Sequence, residues 1–221
     1  MAARDETRAN EAIDRLNEEG RELGLGGVIW HELDLKDPRS AKESAERFIS
    51  RERKLDILVN NAALIPAFGN VQALNADGIG ESMAINYLGP YIFTKTLLPL
   101  LESTASLDGA DVRIINVGSN GYRYAKYLEY GSKEAWNHPF KWYYLPSLQR
   151  YGRRCSPALL PPVSSVLDLV TCAPRDNPEI FQGAYIYPPN IAVPQALIAL
   201  DEDRQRKLVE FTEEFLQSIG V

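Results

Sequence analysis

Leu55-Asp56-Ile57-Leu58-Val59 is an almost continuously apolar run that ends on two asparagines, Asn60 and Asn61. That length and character predict a short strand covered on both faces, as strands of parallel sheets are. Upstream, Ser40 followed by Glu43 reads as a capping box. It opens a helix whose apolar face is Ala41, Ala45, Phe48 and Ile49. Before it, Val28-Ile29-Trp30-His31-Glu32-Leu33 is a β-prone run ending at Asp34. Earlier still, Ala9, Ala12, Ile13 and Leu16 recur at i, i+3, i+4, i+7, which predicts a helix over 6–19. Downstream, a long helical region spans about residues 80–101, with Pro90 and Pro99 expected to kink or trim it. Val112-Arg113-Ile114-Ile115-Asn116-Val117 follows as a third strand. Strands alternating with helices predict an α/β protein built on a parallel sheet.

Past residue 135 the composition changes. Ten of the 14 prolines lie between Pro139 and Pro194, and aromatic residues crowd 136–151. Regular structure is expected there only as strands over 163–170 and 184–187, and the change reads as an atypical insertion or substitution, not a linker. Asp201 then opens a helix with Leu208, Phe211, Phe215 and Leu216 on one face, its acidic residues 201–203 suiting the positive helix N-terminus.

The 221 residues, 45% hydrophobic and 24% charged, suit a single soluble domain. Lys+Arg total 24 against 30 Asp+Glu, a net charge of −6 with no basic run, which argues against nucleic acid and anionic membranes as partners. The most apolar stretch, Thr94 to Leu101, is too short to span a bilayer. The first residues lack the apolar core of a signal peptide, and no lipidation motif is present. Two cysteines (Cys155, Cys172) and two histidines (His31, His138) offer neither a disulfide framework nor a metal centre, so a cytoplasmic chain without metal is expected.

Gly20, Gly24 and Gly26 match the GxxxGxG spacing of a dinucleotide loop. Such a loop follows a strand and opens a helix, so that free backbone N–H groups face the pyrophosphate. Here a helix precedes the glycines and a strand follows them, so they read as a helix-to-strand connection.

Several short motifs in one order carry more. They are Ala2-Ala3-Arg4, the strand ending in Asp34-Leu35, Leu58-Val59-Asn60-Asn61-Ala62-Ala63, Asn86-Tyr87-Leu88-Gly89, and Arg113-Ile114-Ile115-Asn116-Val117-Gly118-Ser119. Together they resemble the short-chain dehydrogenase/reductase family, in particular its retinol-dehydrogenase-like branch. Gly183-Ala184-Tyr185-Ile186-Tyr187-Pro188-Pro189 and the acidic closing helix resemble the tail of that branch. The likeness is good over about residues 2–122 and moderate over 183–218, with 123–182 atypical and 183–221 forming the C-terminal segment. It implies one NAD(P)-binding domain over 1–221, with an incomplete Rossmann-like doubly wound parallel sheet and flanking helices.

The resemblance also implies roles. Arg4 would pair with the ribose 2′-phosphate of NADP, for which a guanidinium fork is suited. Asp34 would accept from the adenine amino group, or else serve as a turn carboxylate leading into a helix. Asn60 and Asn61 would bridge strands and nucleoside under the cofactor. Asn86 would hold a water in a proton relay, and Ser119 would bond the substrate carbonyl. The acid/base tyrosine needs a nearby cation, because a free phenol titrates near pH 10. The family supplies a lysine four residues later. Tyr151, within Arg150-Tyr151-Gly152, is the preferred candidate, although Cys155 stands where lysine belongs. Tyr130, with Lys133 three residues on, is the alternative. Tyr122 and Lys126 fit the spacing but follow Ser119 too closely.

The likeness begins at the end of the second family strand, and no counterpart of the first strand, its glycine loop or the following helix is found. The run 28–33 is therefore expected to lack both of its usual neighbours. Two readings result. One is an NADP(H)-dependent oxidoreductase interconverting a carbonyl and an alcohol on a small molecule, by analogy in specialised metabolism. The other is a non-catalytic truncated remnant or partner subunit. The helix over 80–101 is either the seam of a homodimer or simply core.

Overall fold

The computed structural model describes residues 1–20, 26–64, 73–118, 130–137, 184–187, 191–195 and 197–221. Strand β1 (Ala2–Ala3) is followed by α1 (Glu6–Glu18), β2 (His31–Glu32), α2 (Pro38–Arg51) and β3 (Ile57–Asn60). A compound helix comes next: α3 (Glu81–Met83), a π-helical turn (Ala84–Leu88) and α4 (Gly89–Ala105). Then come β4 (Arg113–Asn116), α5 (Lys133–Trp136), β5 (Tyr185–Tyr187), β6 (Ile191–Val193), a 3-10 turn (Leu197–Ala199) and α6 (Glu202–Ser218).

The chain is α/β with parallel pairing, as the alternation of elements predicts. β3 and β4 pair in parallel from Ile57↔Arg113 to Asn60↔Asn116. The ladder extends past both strand ends through Arg113 N–H to the Asp56 carbonyl (2.8 Å) and Val117 N–H to the Asn60 carbonyl (2.9 Å). β5 and β6 pair in antiparallel fashion, and the second of them is a strand the sequence does not announce. The expected strand over 163–170 lies outside the described residues.

Two expectations are corrected. The run 28–33 does have a neighbour: β2 pairs in parallel with β1, Ala2↔His31 and Ala3↔Glu32. Two-residue β1 can order only that much of the run. Bonds from His31 N–H to the Met1 carbonyl (2.9 Å) and from Leu33 N–H to the Ala3 carbonyl (3.2 Å) complete the pairing. Second, Ser40 does not cap α2. The helix begins at Pro38, and the Asp37 carboxylate accepts from Arg39 N–H at 2.9 Å. Asp at the cap and Pro in the first turn outcompete the box three residues on, because proline's fixed φ is already helical and its missing N–H costs nothing there.

The long helix departs from uniformity at Pro90, as expected, and runs on past Pro99 to Ala105. Pro90 has no N–H to offer the preceding turn, and the backbone widens just before it, Gly89 N–H reaching the Ala84 carbonyl five residues back. Pro99 lies inside α4.

Two apolar clusters hold the elements. Ala41 and Ala45 of α2, Leu58 of β3, Ile92, Phe93, Leu97 and Leu101 of α4, and Leu216 of α6 form the first. The second joins Ile79, Met83, Ala84 and Leu88 to Trp136 and to Phe215 of α6. The apolar face of α4 is thus core. Its flank is covered by α6, with Tyr87 Oη hydrogen-bonded to Thr212 Oγ1 (2.9 Å) and with Tyr91 and Lys95 both donating to the Glu213 carboxylate. Arg39 fixes the far end of α6. It holds Asp77 through two 3.0 Å bonds and donates to the Ile219 carbonyl at 2.9 Å. Among the described residues no helix is long and apolar enough to cross a membrane.

Candidate functional site

In open parallel sheets ligands bind beyond the carboxyl ends of the strands. In this chain those ends converge on the compound helix. Past β2, Leu35 lies against Gly89, and a Cβ built on that glycine would stand 2.4 Å from the Leu35 carbonyl oxygen. Past β3, Leu64 is held at both backbone atoms by Asn86, whose Oδ1 accepts from Leu64 N–H (2.7 Å) while Nδ2 donates to the Leu64 carbonyl (3.0 Å). At the last rung of β3, Asn60 Nδ2 donates to Thr94 Oγ1 (3.0 Å) and across to Asn116 Oδ1 on β4 (2.9 Å). Asn86, Gly89 and Thr94 therefore gather three chain segments onto one stretch of helix.

Asn60 and Asn86 sit half-buried at this edge and Asn61 is exposed. Asn60 bridges β3 and β4 through its hydrogen bond to Asn116. Asp34, half-buried, accepts from Lys36 N–H at 2.9 Å, so one carboxylate oxygen shapes the turn leading to α2. Arg4 is exposed immediately after β1, at the end of the β1–β2 pair that also leads into Asp34. Ser119, Tyr151, Tyr122 and Lys126 lie outside the described residues.

Tyr130 is described, and its surroundings do not favour proton exchange near neutrality. Burial pushes its phenol up to about 12, against the weaker opposing pull of Arg204. Lys133 does not serve it: its Nζ donates to the Asp77 carbonyl (3.2 Å) and stands 5.1 Å above the Phe215 ring.

A further Tyr-x-x-x-Lys spacing, Tyr91 and Lys95 on α4, is absent from the candidates above. Both side chains hold Glu213 of α6. Burial and the Glu213 carboxylate push the Tyr91 phenol well above its usual range, so this pair docks a helix and activates nothing. Two members of the edge, Thr94 and Asn116, also escape sequence reasoning. Only the register of β3 against β4 sets Asn116 opposite Asn60, and only helix packing brings Thr94 beneath them.

The described residues fit part of a nicotinamide dinucleotide. An exposed arginine suits a phosphate and polar amides suit a nucleoside. No strand–glycine loop–helix for the diphosphate occurs among the described residues.

Residues 1–140 match the sequence model of the short chain dehydrogenase family, and the chain belongs to that family. It is 49% identical over 152 residues to a short-chain dehydrogenase/reductase of Armillaria gallica, covering 69% of this chain and 46% of that protein. It is 32% identical over 152 residues to human retinol dehydrogenase 14, covering 63% of this chain and 43% of the relative. The chain thus spans less than half the length of these curated relatives. Among solved structures, the RhlG/NADP active-site complex of Pseudomonas aeruginosa aligns with a TM-score of 0.44 at 24% identity, over 62% of this chain and 49% of that one. The family and its retinol-dehydrogenase-like branch agree with what the motifs imply, and the parallel strand pairs agree with the α/β class.

Proposed function

We propose that this chain is the cofactor- and substrate-binding part of an NADP(H)-dependent oxidoreductase interconverting a carbonyl and an alcohol on a small molecule. The observation that carries the reading is the convergence of the β2 and β3 carboxyl ends on Asn86, Gly89 and Thr94. In this reading Asp34, Asn60, Asn61 and Asn86 line one cofactor edge. In this reading Arg4 binds the ribose 2′-phosphate, which favours NADP over NAD, and Asp34 offers its second carboxylate oxygen to the adenine amino group. Asn60 and Asn61 line the nucleoside, and Asn86 holds the loop through Leu64 that shapes the edge. Ser119 bonds the substrate oxygen, and Tyr151 exchanges the proton with it. The nicotinamide supplies or takes up the hydride when bound. Arg153 and Arg154 follow Tyr151 in the stretch where the family has lysine.

The alternative, a non-catalytic remnant or partner subunit, is favoured by the lack of a diphosphate loop among the described residues. Thermal unfolding of the chain titrated with NADPH and NADH separates the two. A saturable rise in Tm, larger with NADPH, supports the oxidoreductase. A folded chain that responds to neither cofactor and turns over no NADPH with a panel of aldehydes and ketones supports the alternative.

A further inference from the structure

A buried serine fixes the state of the imidazole on β2. Ser44 of α2 is fully buried, and its hydroxyl donates to the Glu32 carbonyl. A carbonyl oxygen can only accept, so the one hydroxyl hydrogen of Ser44 is committed there. His31 Nε2 lies 2.8 Å from Ser44 Oγ and 3.1 Å from the Ser44 carbonyl oxygen. Both oxygens are acceptors toward it, so Nε2 carries the hydrogen of the neutral ring and Nδ1 carries none. Nδ1 takes no hydrogen bond among the described residues. The half-buried ring also meets Phe48 of α2 edge-on, with ring centroids 5.6 Å apart. The charges that act on it are positive: Arg47 and Arg51 of α2, and the ammonium of Met1 next to β1. Glu32, the next residue of β2, has its carboxylate engaged by Arg47 at 3.4 Å.

A second proton must therefore enter at Nδ1. It leaves the Nε2 bonds to Ser44 in place, so the ring stays on α2 while the new charge needs water. Burial first, then the nearby cations, outweigh the Ser44 bond and hold the ring below its ordinary value of 6.5. The neutral ring thus supports the fold fully above pH 6.5, and that support declines as pH falls below it. Two elements flank the ring, and they are not equally secured. Helix α2 is anchored through Ala41 and Ala45 in the first apolar cluster. Strand β1 is two alanines, one exposed and one half-buried, so backbone pairing holds it with little apolar area of its own. We propose that His31 is an acid-sensitive latch for β1. With the ring doubly protonated, β1 separates from β2 and admits water while α2 keeps its place, and Arg4, which follows β1, is carried away from the cofactor edge. The part concerning Arg4 rests on the cofactor reading given above.

The test follows backbone amide protection by ¹H–¹⁵N NMR at about pH 7.5 and about pH 5.5, either side of the ordinary histidine value. Wild type is compared with His31→Gln, which cannot titrate. Leu33 N–H, bonded to the Ala3 carbonyl, reports on β1, and the amides of α2 report on the helix. Wild type is expected to lose protection at Leu33 at the lower pH while α2 stays protected, and His31→Gln to keep both. Equal loss in the two proteins, or a loss that Leu33 and α2 share, overturns the proposal. So does a neutral ring whose ¹⁵N shifts place the hydrogen on Nδ1. Should His31→Gln not fold, wild type decides alone: a loss at Leu33 that does not follow the titration of the His31 ring overturns the latch. NADPH titration at the two pH values reads the consequence. Acidification should weaken binding more in wild type than in His31→Gln, a comparison in which the ligand's own titration cancels. An equal weakening overturns the part concerning Arg4. A wild type that binds neither NADPH nor NADH overturns the cofactor reading, and amide protection still decides the latch.

Discussion

Gly89 and Leu35 meet backbone to backbone. A methyl group at position 89 would lie 2.4 Å from the Leu35 carbonyl oxygen and 2.9 Å from its Cα, closer than atoms of a folded chain come. The glycine is needed for space, not for unusual dihedral angles, since its φ of −59° is ordinary helix. It lets the segment after β2 lie directly on the start of α4.

Gly89→Ala should therefore cost about 1–3 kcal/mol, the usual range for overpacking a closed contact. Urea denaturation measures it. A variant as stable as wild type would show that Leu35 and its neighbours move aside freely.

Asn86 holds Leu64 through two hydrogen bonds, and both backbone groups lose their partner when the carboxamide is removed. Asn86→Ala should cost about 1–3 kcal/mol, the penalty of stranding partly buried polar groups. It should also make the backbone at Leu64 more open to protease. Unaltered cleavage and stability would mean that water replaces the amide without loss.

Glu213 is held below its ordinary value of 4.5, first by its hydrogen bond to Lys95, then by Tyr91. Its folded-state value is depressed, so its stabilising effect is complete above 4.5 and declines as pH falls through the depressed value. Wild type should accordingly exceed Glu213→Gln in Tm at pH 6–7, and the difference should shrink below about pH 4.5. A difference that stays constant down to pH 3 is incompatible with this account.

Arg4 stands exposed beside the end of the β1–β2 pair, and its proposed task is to hold the phosphate that distinguishes NADP from NAD. Arg4→Gln should weaken NADPH binding about 10-fold or more, as loss of a charge-assisted bond does, and leave NADH almost untouched. Isothermal titration with both cofactors reads the ratio. Equal losses for the two would remove the 2′-phosphate from the assignment.

The legible features were those that one segment decides alone. The apolar run 55–59 and the acidic cap at Asp201 predict β3 and α6, and both form, Asp201 accepting from Arg204 N–H at 3.1 Å. Features that depend on a second segment were misread or missed. The capping box at Ser40 is locally sound, yet Asp37-Pro38 starts the helix earlier. The run 28–33 has strand chemistry along its whole length, but two-residue β1 orders only His31 and Glu32. Tyr91 and Lys95 show why a four-residue spacing is weak evidence: any helix provides it, and only the carboxylate that meets them decides their use. The Asn60–Thr94–Asn116 contact is set by strand register and helix packing together, and neither is written in the neighbourhood of any one of the three.

The docking of α6 across α4 has a consequence for synthesis. Lys95 and Glu213, which join the two helices, are 118 residues apart in the chain, and Phe215 and Leu216 complete clusters whose other members mostly precede residue 102. A ribosome that has finished β1 to α4 has therefore made most of an interior it cannot close. The flank of α4 and the cluster around Trp136 must wait, wet and adhesive, until residues 202–218 emerge. That interval is when a nascent chain of this design most needs a chaperone.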